Sequence, residues 1–163
     1  MPNTLGTPLP NGSKLPSVPF LLSFQAEKIK IEDARRANGI VVGFIHGTWC
    51  PYCVTQLSRL NKIAPELEKR NVGLVCISHD PEPTISAFQV SAKPQLRYPL
   101  MEDSEPSVAH LFGIFDNYPE HMSPYPAVFY ADKDNIIRYS DVSSDPDCHP
   151  NLVKLLEAID NGI

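Results

Sequence analysis

The residues with the plainest chemistry are Cys50 and Cys53, separated by Pro51 and Tyr52. Two intervening residues wound into a helical turn bring two sulfurs within reach of a disulfide. Such a pair can be oxidised and reduced, and its thiolate is the attacking species in thiol–disulfide exchange. An apolar run, Ile40 to Ile45, precedes the pair, and an apolar-periodic run follows it through Val54, Leu57, Leu60, Ile63, Ala64 and Leu67. That order reads as a buried strand, a tight turn and an amphipathic helix. The cysteines then occupy the turn and the first helical turn, where unpaired N–H groups and the positive end of the dipole stabilise a thiolate. A free thiol titrates near roughly 8.5, and this placement lowers that value for the first cysteine. Cys50, at the turn, is the expected exposed nucleophile. Cys53 is the expected shielded thiol that resolves a mixed disulfide. Pro51 suits the first helical position, because the N–H it lacks would be unpaired there. Trp49, Pro51 and Tyr52 are the expected substrate-facing residues, with Trp49 as an apolar lip.

Other readings of these residue types carry less chemistry. A Cys-x-x-Cys can be half of a zinc site, but zinc wants further ligands. The sequence offers Cys148-His149, far along the chain. The expectation is therefore no metal and no cofactor. Cys76 lies inside an apolar run and reads as a small buried hydrophobe. Cys148 reads as a partly exposed, inert cysteine, with an extra resolving thiol as the other reading. His46 is an isolated histidine that strand alternation does not guarantee to face the sulfurs, and it reads as structural.

The elements must place the pair. The chain has 163 residues, 42% hydrophobic and 20% charged, as expected for a soluble globular protein. A net charge of -5 argues against nucleic acid and anionic membranes as partners. No run is long enough to span a membrane, and no signal peptide is evident, so a cytoplasmic location is expected. Residues 1–19 carry five prolines and two glycines and form a proline-rich N-terminal arm. Residues 20–163 form a single domain.

Within it, Phe20 to Phe24 reads as a short strand and Lys28 to Arg36 as a helical turn. The helix from Pro51 to about Arg70 contains Pro65, which predicts a kink or break near Asn61 to Ala64. Val72 to Ser78 reads as a buried parallel strand. Pro83 to Ala92 reads as a helix capped by Thr84 or Asp80. Tyr98 to Met101 reads as an edge strand and Ser104 to Phe112 as a helix. Asn117 to Pro124 reads as a loop. Ala127 to Ala131 and Ile136 to Ser140 form a hairpin, Asp141 to Pro150 a loop, and Asn151 to Ile159 a closing helix. The sum is an α/β sandwich with a mixed sheet, its dithiol at the carboxyl end of a central strand.

At this point the chain resembles the thioredoxin superfamily. The match rests on Phe44 to Cys53, on Pro124-Tyr125-Pro126-Ala127-Val128-Phe129, and on Asp132 to Ile137. The insert from Pro81 to Tyr118 is similar to the peroxiredoxin-related branch (alkyl hydroperoxide reductase and thiol-specific antioxidant), which also includes thiol-disulfide reductases. The resemblance implies a thioredoxin-like three-layer sandwich with a central mixed β-sheet flanked by helices. It implies that Pro126 is cis and packs beside the disulfide, leaving the backbone of Tyr125 free to pair with substrate. Two departures stand out. Thioredoxins carry a buried Asp six residues before the first cysteine, where this chain has Phe44. Peroxiredoxins place their peroxidatic cysteine at the position of Cys53, within a Pro-x-x-x-Thr-x-x-Cys pattern whose Pro and Thr are here His46 and Cys50. Their peroxide-holding arginine falls near Pro126.

The function expected is thiol–disulfide exchange through Cys50 and Cys53, acting on a disulfide-bearing protein or small molecule in cytoplasmic redox homeostasis. A thioredoxin-reductase or glutathione-type electron donor fits that chemistry. The Pro-Tyr dipeptide resembles that of glutaredoxins, which suggests a potential of about -200 to -230 mV. A thiol peroxidase and a non-catalytic redox sensor are the alternatives.

Overall fold

A computed structural model of the protein describes residues 7–116, 122–143 and 149–162. In chain order the strands are β1 (Leu21–Leu22), β2 (Lys28–Ile29), β3 (Ile40–Ile45), β4 (Gly73–Ser78), β5 (Leu100–Glu102), β6 (Phe115–Asp116), β7 (Ser123–Pro124), β8 (Ala127–Ala131) and β9 (Ile137–Val142). The helices are α1 (Pro51–Lys69), α2 (Glu82–Ser91), α3 (Ser107–Leu111) and α4 (Leu152–Gly162). Five strands make the central sheet in the order β5-β4-β3-β8-β9. β4 runs parallel to both β3 and β5, while β8 is antiparallel to β3 and β9 to β8. This is the mixed α/β sandwich expected from the sequence.

β3 and β4 are buried along their whole length, which is why both read as continuous apolar runs. Alternation divides β3 between two cores. Val41 and Ile45 pack with Leu57, Leu60 and Leu67 of α1, Ile85 of α2, and Leu155 and Ile159 of α4. Ile40, Val42 and Phe44 pack on the opposite face with Val108 and Ala109 of α3, Phe112 and Phe129. The Phe44 ring lies 4.9 Å from that of Phe112 and 6.0 Å from that of Phe129. Phe44 thus holds the layer opposite the dithiol.

Several expectations change. The strand expected over Phe20 to Phe24 shrinks to β1, which pairs with β2 outside the main sheet. The helical turn expected from Lys28 begins later, as a 3-10 turn over Ile31–Ala34. α1 is unbroken across Pro65. Proline there removes one backbone hydrogen bond, but the buried neighbours Leu60, Ala64 and Leu67 hold the turn against the sheet. α2 is preceded by Pro81 rather than capped by Thr84 or Asp80. Its first N–H, on Glu82, donates instead to the Glu102 carboxylate at 2.7 Å. The loop expected over Asn117 to Pro124 ends in β7, which pairs with β6, and residues 117–121 lie outside the described part.

The arm lies on the domain from residue 7 onward. Lys14 bridges Ile136, Leu9 N–H donates to the Phe112 carbonyl at 3.1 Å, and Val18 is buried. Among the described residues, no helix is long and apolar enough to cross a membrane.

Candidate active site

β3 ends at Ile45, and the chain then turns through Gly47, Thr48 and Trp49 into α1. The Cys50 N–H folds back on the Gly47 carbonyl at 3.2 Å, and Val54 N–H donates to the Cys50 carbonyl at 3.0 Å. Cys50 is therefore the N-cap of α1 and Pro51 its first residue. The thiols of Cys50, Cys53 and Cys76 are unbridged.

The sulfurs of Cys50 and Cys53 and a ring nitrogen of His46 all lie within 4.8 Å of one another. Cys50 is 7% exposed and Cys53 2%. The order of accessibility is the expected one, but Cys50 is not the open nucleophile the sequence predicts. The 47–50 turn tucks its side chain against the core formed by α1 and the sheet. Burial pushes the Cys53 thiol up to about 12, opposed by backbone N–H groups of Gly47 and His46 that face its sulfur, and reinforced by the neighbouring Cys50. Burial likewise raises Cys76, with a further push from Cys53. Cys76 is a core residue of β4 behind the pair, as its apolar surroundings predict.

Two residues join the site that sequence reasoning passed over. His46 was expected to be structural, because alternation does not aim it at the sulfurs. Alternation ceases to govern once β3 ends at Ile45, and the turn brings the imidazole to the thiols. Asp80, read as a possible helix cap, instead holds the active turn. Its Oδ2 accepts from the Thr48 N–H at 2.6 Å, the Thr48 hydroxyl at 2.9 Å and the Ser78 hydroxyl at 3.1 Å. The carboxyl end of β4 thereby fixes the turn that follows β3. No local pattern marks this pair, since 32 residues separate the partners.

The expected substrate-facing residues divide. Trp49 is 72% exposed and Tyr52 46%. The Trp49 indole lies across Gly47, where a Cβ would fall 2.6 Å from its Cδ1 and 2.8 Å from Asp80 Oδ1. Glycine at 47 is what lets ring and carboxylate approach. Pro51 is exposed beside them. The Tyr52 ring sits 6.4 Å from that of His149, while Cys148 lies outside the described residues.

Tyr125 and Pro126 follow a different course. The Tyr125–Pro126 bond is trans, and among the described residues the cis bond is Lys93–Pro94. Tyr125 N–H donates to the Ile114 carbonyl at 2.9 Å, its hydroxyl to Asp116 at 3.0 Å, and Ser143 N–H donates to the Pro126 carbonyl at 2.9 Å. These three bonds hold the segment to its own neighbours. The Tyr125 N–H is thus spent within the chain and is not offered to substrate. Pro126 lies one step beyond the pair Phe44–Ala127, at the dithiol end of the sheet.

Comparison with known proteins agrees with this architecture. The AhpC/TSA family pattern matches residues 11–140. A 1-Cys peroxiredoxin of Dictyostelium discoideum is 29% identical over 92 residues, covering 54% of this chain and 38% of the relative. The thiol-disulfide oxidoreductase ResA of Geobacillus thermodenitrificans is 24% identical over 128 residues, covering 78% and 66%. The chain thus spans less than two thirds of the length of these relatives. Among solved structures, Peroxidoxin BcpB from Mycobacterium tuberculosis superimposes with a TM-score of 0.79 at 20% identity, over 93% of this chain and 96% of its own. A peroxiredoxin-like protein from Aquifex aeolicus gives 0.83 at 18% identity, over 98% and 91%. These likenesses establish a shared thioredoxin-like fold.

Proposed function

The chain belongs to the AhpC/TSA family, and on that premise we propose that it is a thiol–disulfide oxidoreductase working through Cys50 and Cys53. The observation that carries the proposal is the pair itself: two sulfurs within 4.8 Å at the start of α1, the first more accessible than the second. The Cys50 thiolate attacks one sulfur of a substrate disulfide. The substrate S–S bond breaks, one substrate sulfur leaves as thiolate, and a mixed disulfide forms. Cys53 then gives up its proton and attacks the Cys50 sulfur, releasing the second substrate sulfur and closing the Cys50–Cys53 disulfide. Two electrons pass from the dithiol to the substrate.

The second step asks a buried thiol to ionise, and burial holds the Cys53 proton on. The His46 ring nitrogen within 4.8 Å of the sulfur is placed to accept it. This supplies what the missing Asp at Phe44 would do in a thioredoxin. Trp49 and Tyr52 form the exposed apolar rim that meets the partner. A thioredoxin-type or glutathione-type donor returns the dithiol.

A thiol peroxidase is the second reading, favoured by relatives that carry the name peroxiredoxin. It would make Cys53 the attacking thiol, and Cys53 is both the less accessible of the two and the one burial protonates.

Trapping separates the readings. Under disulfide exchange, Cys53→Ser accumulates a mixed disulfide through Cys50, Cys50→Ser loses turnover, and Cys76→Ser keeps it. Full disulfide-reducing activity in Cys50→Ser would refute the mechanism. Peroxide consumption that survives Cys50→Ser and stops in Cys53→Ser would establish the peroxidase.

A further inference from the structure

We infer that the reduced dithiol and His46 together form a zinc(II) site. Three donors of the types zinc favours, two thiols and one imidazole, lie within 4.8 Å of one another. They come from three places in the fold: just past β3, the N-cap of α1, and its first turn. Zinc bonds of about 2.3 Å to sulfur and about 2.0 Å to nitrogen put ligand atoms roughly 3.5 to 3.8 Å apart in a tetrahedron. The observed spacing, within 4.8 Å, is about 1 Å wider than that.

The surroundings fit a thiolate-bound cation. Backbone N–H groups of Gly47 and His46 face the Cys53 sulfur, the kind of outer hydrogen bonding that orients a metal ligand. Asp80 pins the turn that carries the ligands through Thr48. Both cysteines stand on the apolar core, so the inner side of the site is dry. The half-buried His46 marks the outer side. Sequence spacing points to Cys148-His149 as the missing zinc ligands, whereas the fold supplies one ligand from His46.

Binding displaces one proton from each thiol and moves no electron. Once the pair is a disulfide, neither sulfur is a thiolate, so metal and disulfide exclude each other. Zinc would therefore hold the reduced form out of exchange until a chelator removes it. This inference uses the same thiols as the proposed reaction but needs no turnover to be true.

The test is an anaerobic titration of the untagged, reduced full chain with zinc chloride against a chromophoric chelator, repeated with cobalt(II) for its absorption. The expected result is one metal per chain, thiolate-to-cobalt charge-transfer absorption, and no binding to the oxidised chain. The oxidised wild type is a folded control that needs no substitution. His46→Ala should weaken binding by at least about tenfold, since loss of an outer-shell partner alone costs roughly 10–100-fold. Cys76→Ser should bind as the wild type does. Equal binding by reduced and oxidised chains, or wild-type affinity in His46→Ala, would overturn the site. If zinc fails to bind while Cys50 and Cys53 still cycle with a disulfide, this inference alone falls. If zinc binds but no Cys50–Cys53 disulfide forms, the exchange reading falls instead.

Discussion

Asp80 sets the geometry of the dithiol through Thr48 and Ser78. Its carboxylate takes three hydrogen bonds, two from Thr48 and one from Ser78, while 7% exposed. Removing it leaves the Thr48 N–H and hydroxyl in the half-buried turn, and the buried Ser78 hydroxyl at the end of β4, without this acceptor. A buried donor stripped of its partner costs about 1–3 kcal/mol. Asp80→Ala should therefore lower stability by about that amount in urea unfolding and slow exchange, because the 47–50 turn no longer holds Cys50. Stability and rate both unchanged would show that the turn holds itself. The dithiol was legible at this scale because its signals are local: an apolar run, a Cys-x-x-Cys and a proline at the first helical position. The Asp80–Thr48 tether and the arrival of His46 were not, because both depend on where strands end in space. The cis bond at Pro126 was an expectation of resemblance, and the structure has it trans.

At the scale of elements, β3 is a divider. Its Val41 and Ile45 back the dithiol layer, and its Ile40, Val42 and Phe44 build the other. The position where a thioredoxin keeps a buried Asp is here part of an aromatic cluster with Phe112 and Phe129. Phe44→Ala should cost about 3–5 kcal/mol, the usual range for a buried aromatic truncated to alanine. It should leave the redox potential of the pair where it was, since the sheet separates the two. A shift of the potential with little loss of stability would contradict this division. The main strands were legible because burial on both faces leaves continuous apolar runs. β1 was legible only as part of a longer strand, and β2 and the β6–β7 ladder were not, since two residues carry no period and Pro124 argues against a strand.

Over the whole molecule, Arg70 ties the far end of α1 to α4. It pairs with Asp160 at 2.6 and 3.0 Å and with Glu66 of its own helix at 3.1 Å. The Arg70 hydrogen bonds and charge hold the Asp160 carboxyl below the usual carboxylate range. A carboxylate depressed on folding contributes stability above its unfolded value and loses it as pH falls through its folded value. The thermal midpoint of Asp160→Asn should fall below that of the wild type near neutral pH. The gap should close as the pH drops through and below the ordinary carboxylate range. A gap that persists at low pH would mean that the effect is not this ion pair.

The exchange reading stands or falls on whether Cys50 and Cys53 form a reversible couple. The direct measurement is their equilibrium with a glutathione redox buffer, with Cys76 and Cys148 replaced by serine. The account predicts a two-electron transition between about -180 and -280 mV, among the exchange catalysts. A chain in which no Cys50–Cys53 disulfide forms across that range would contradict it.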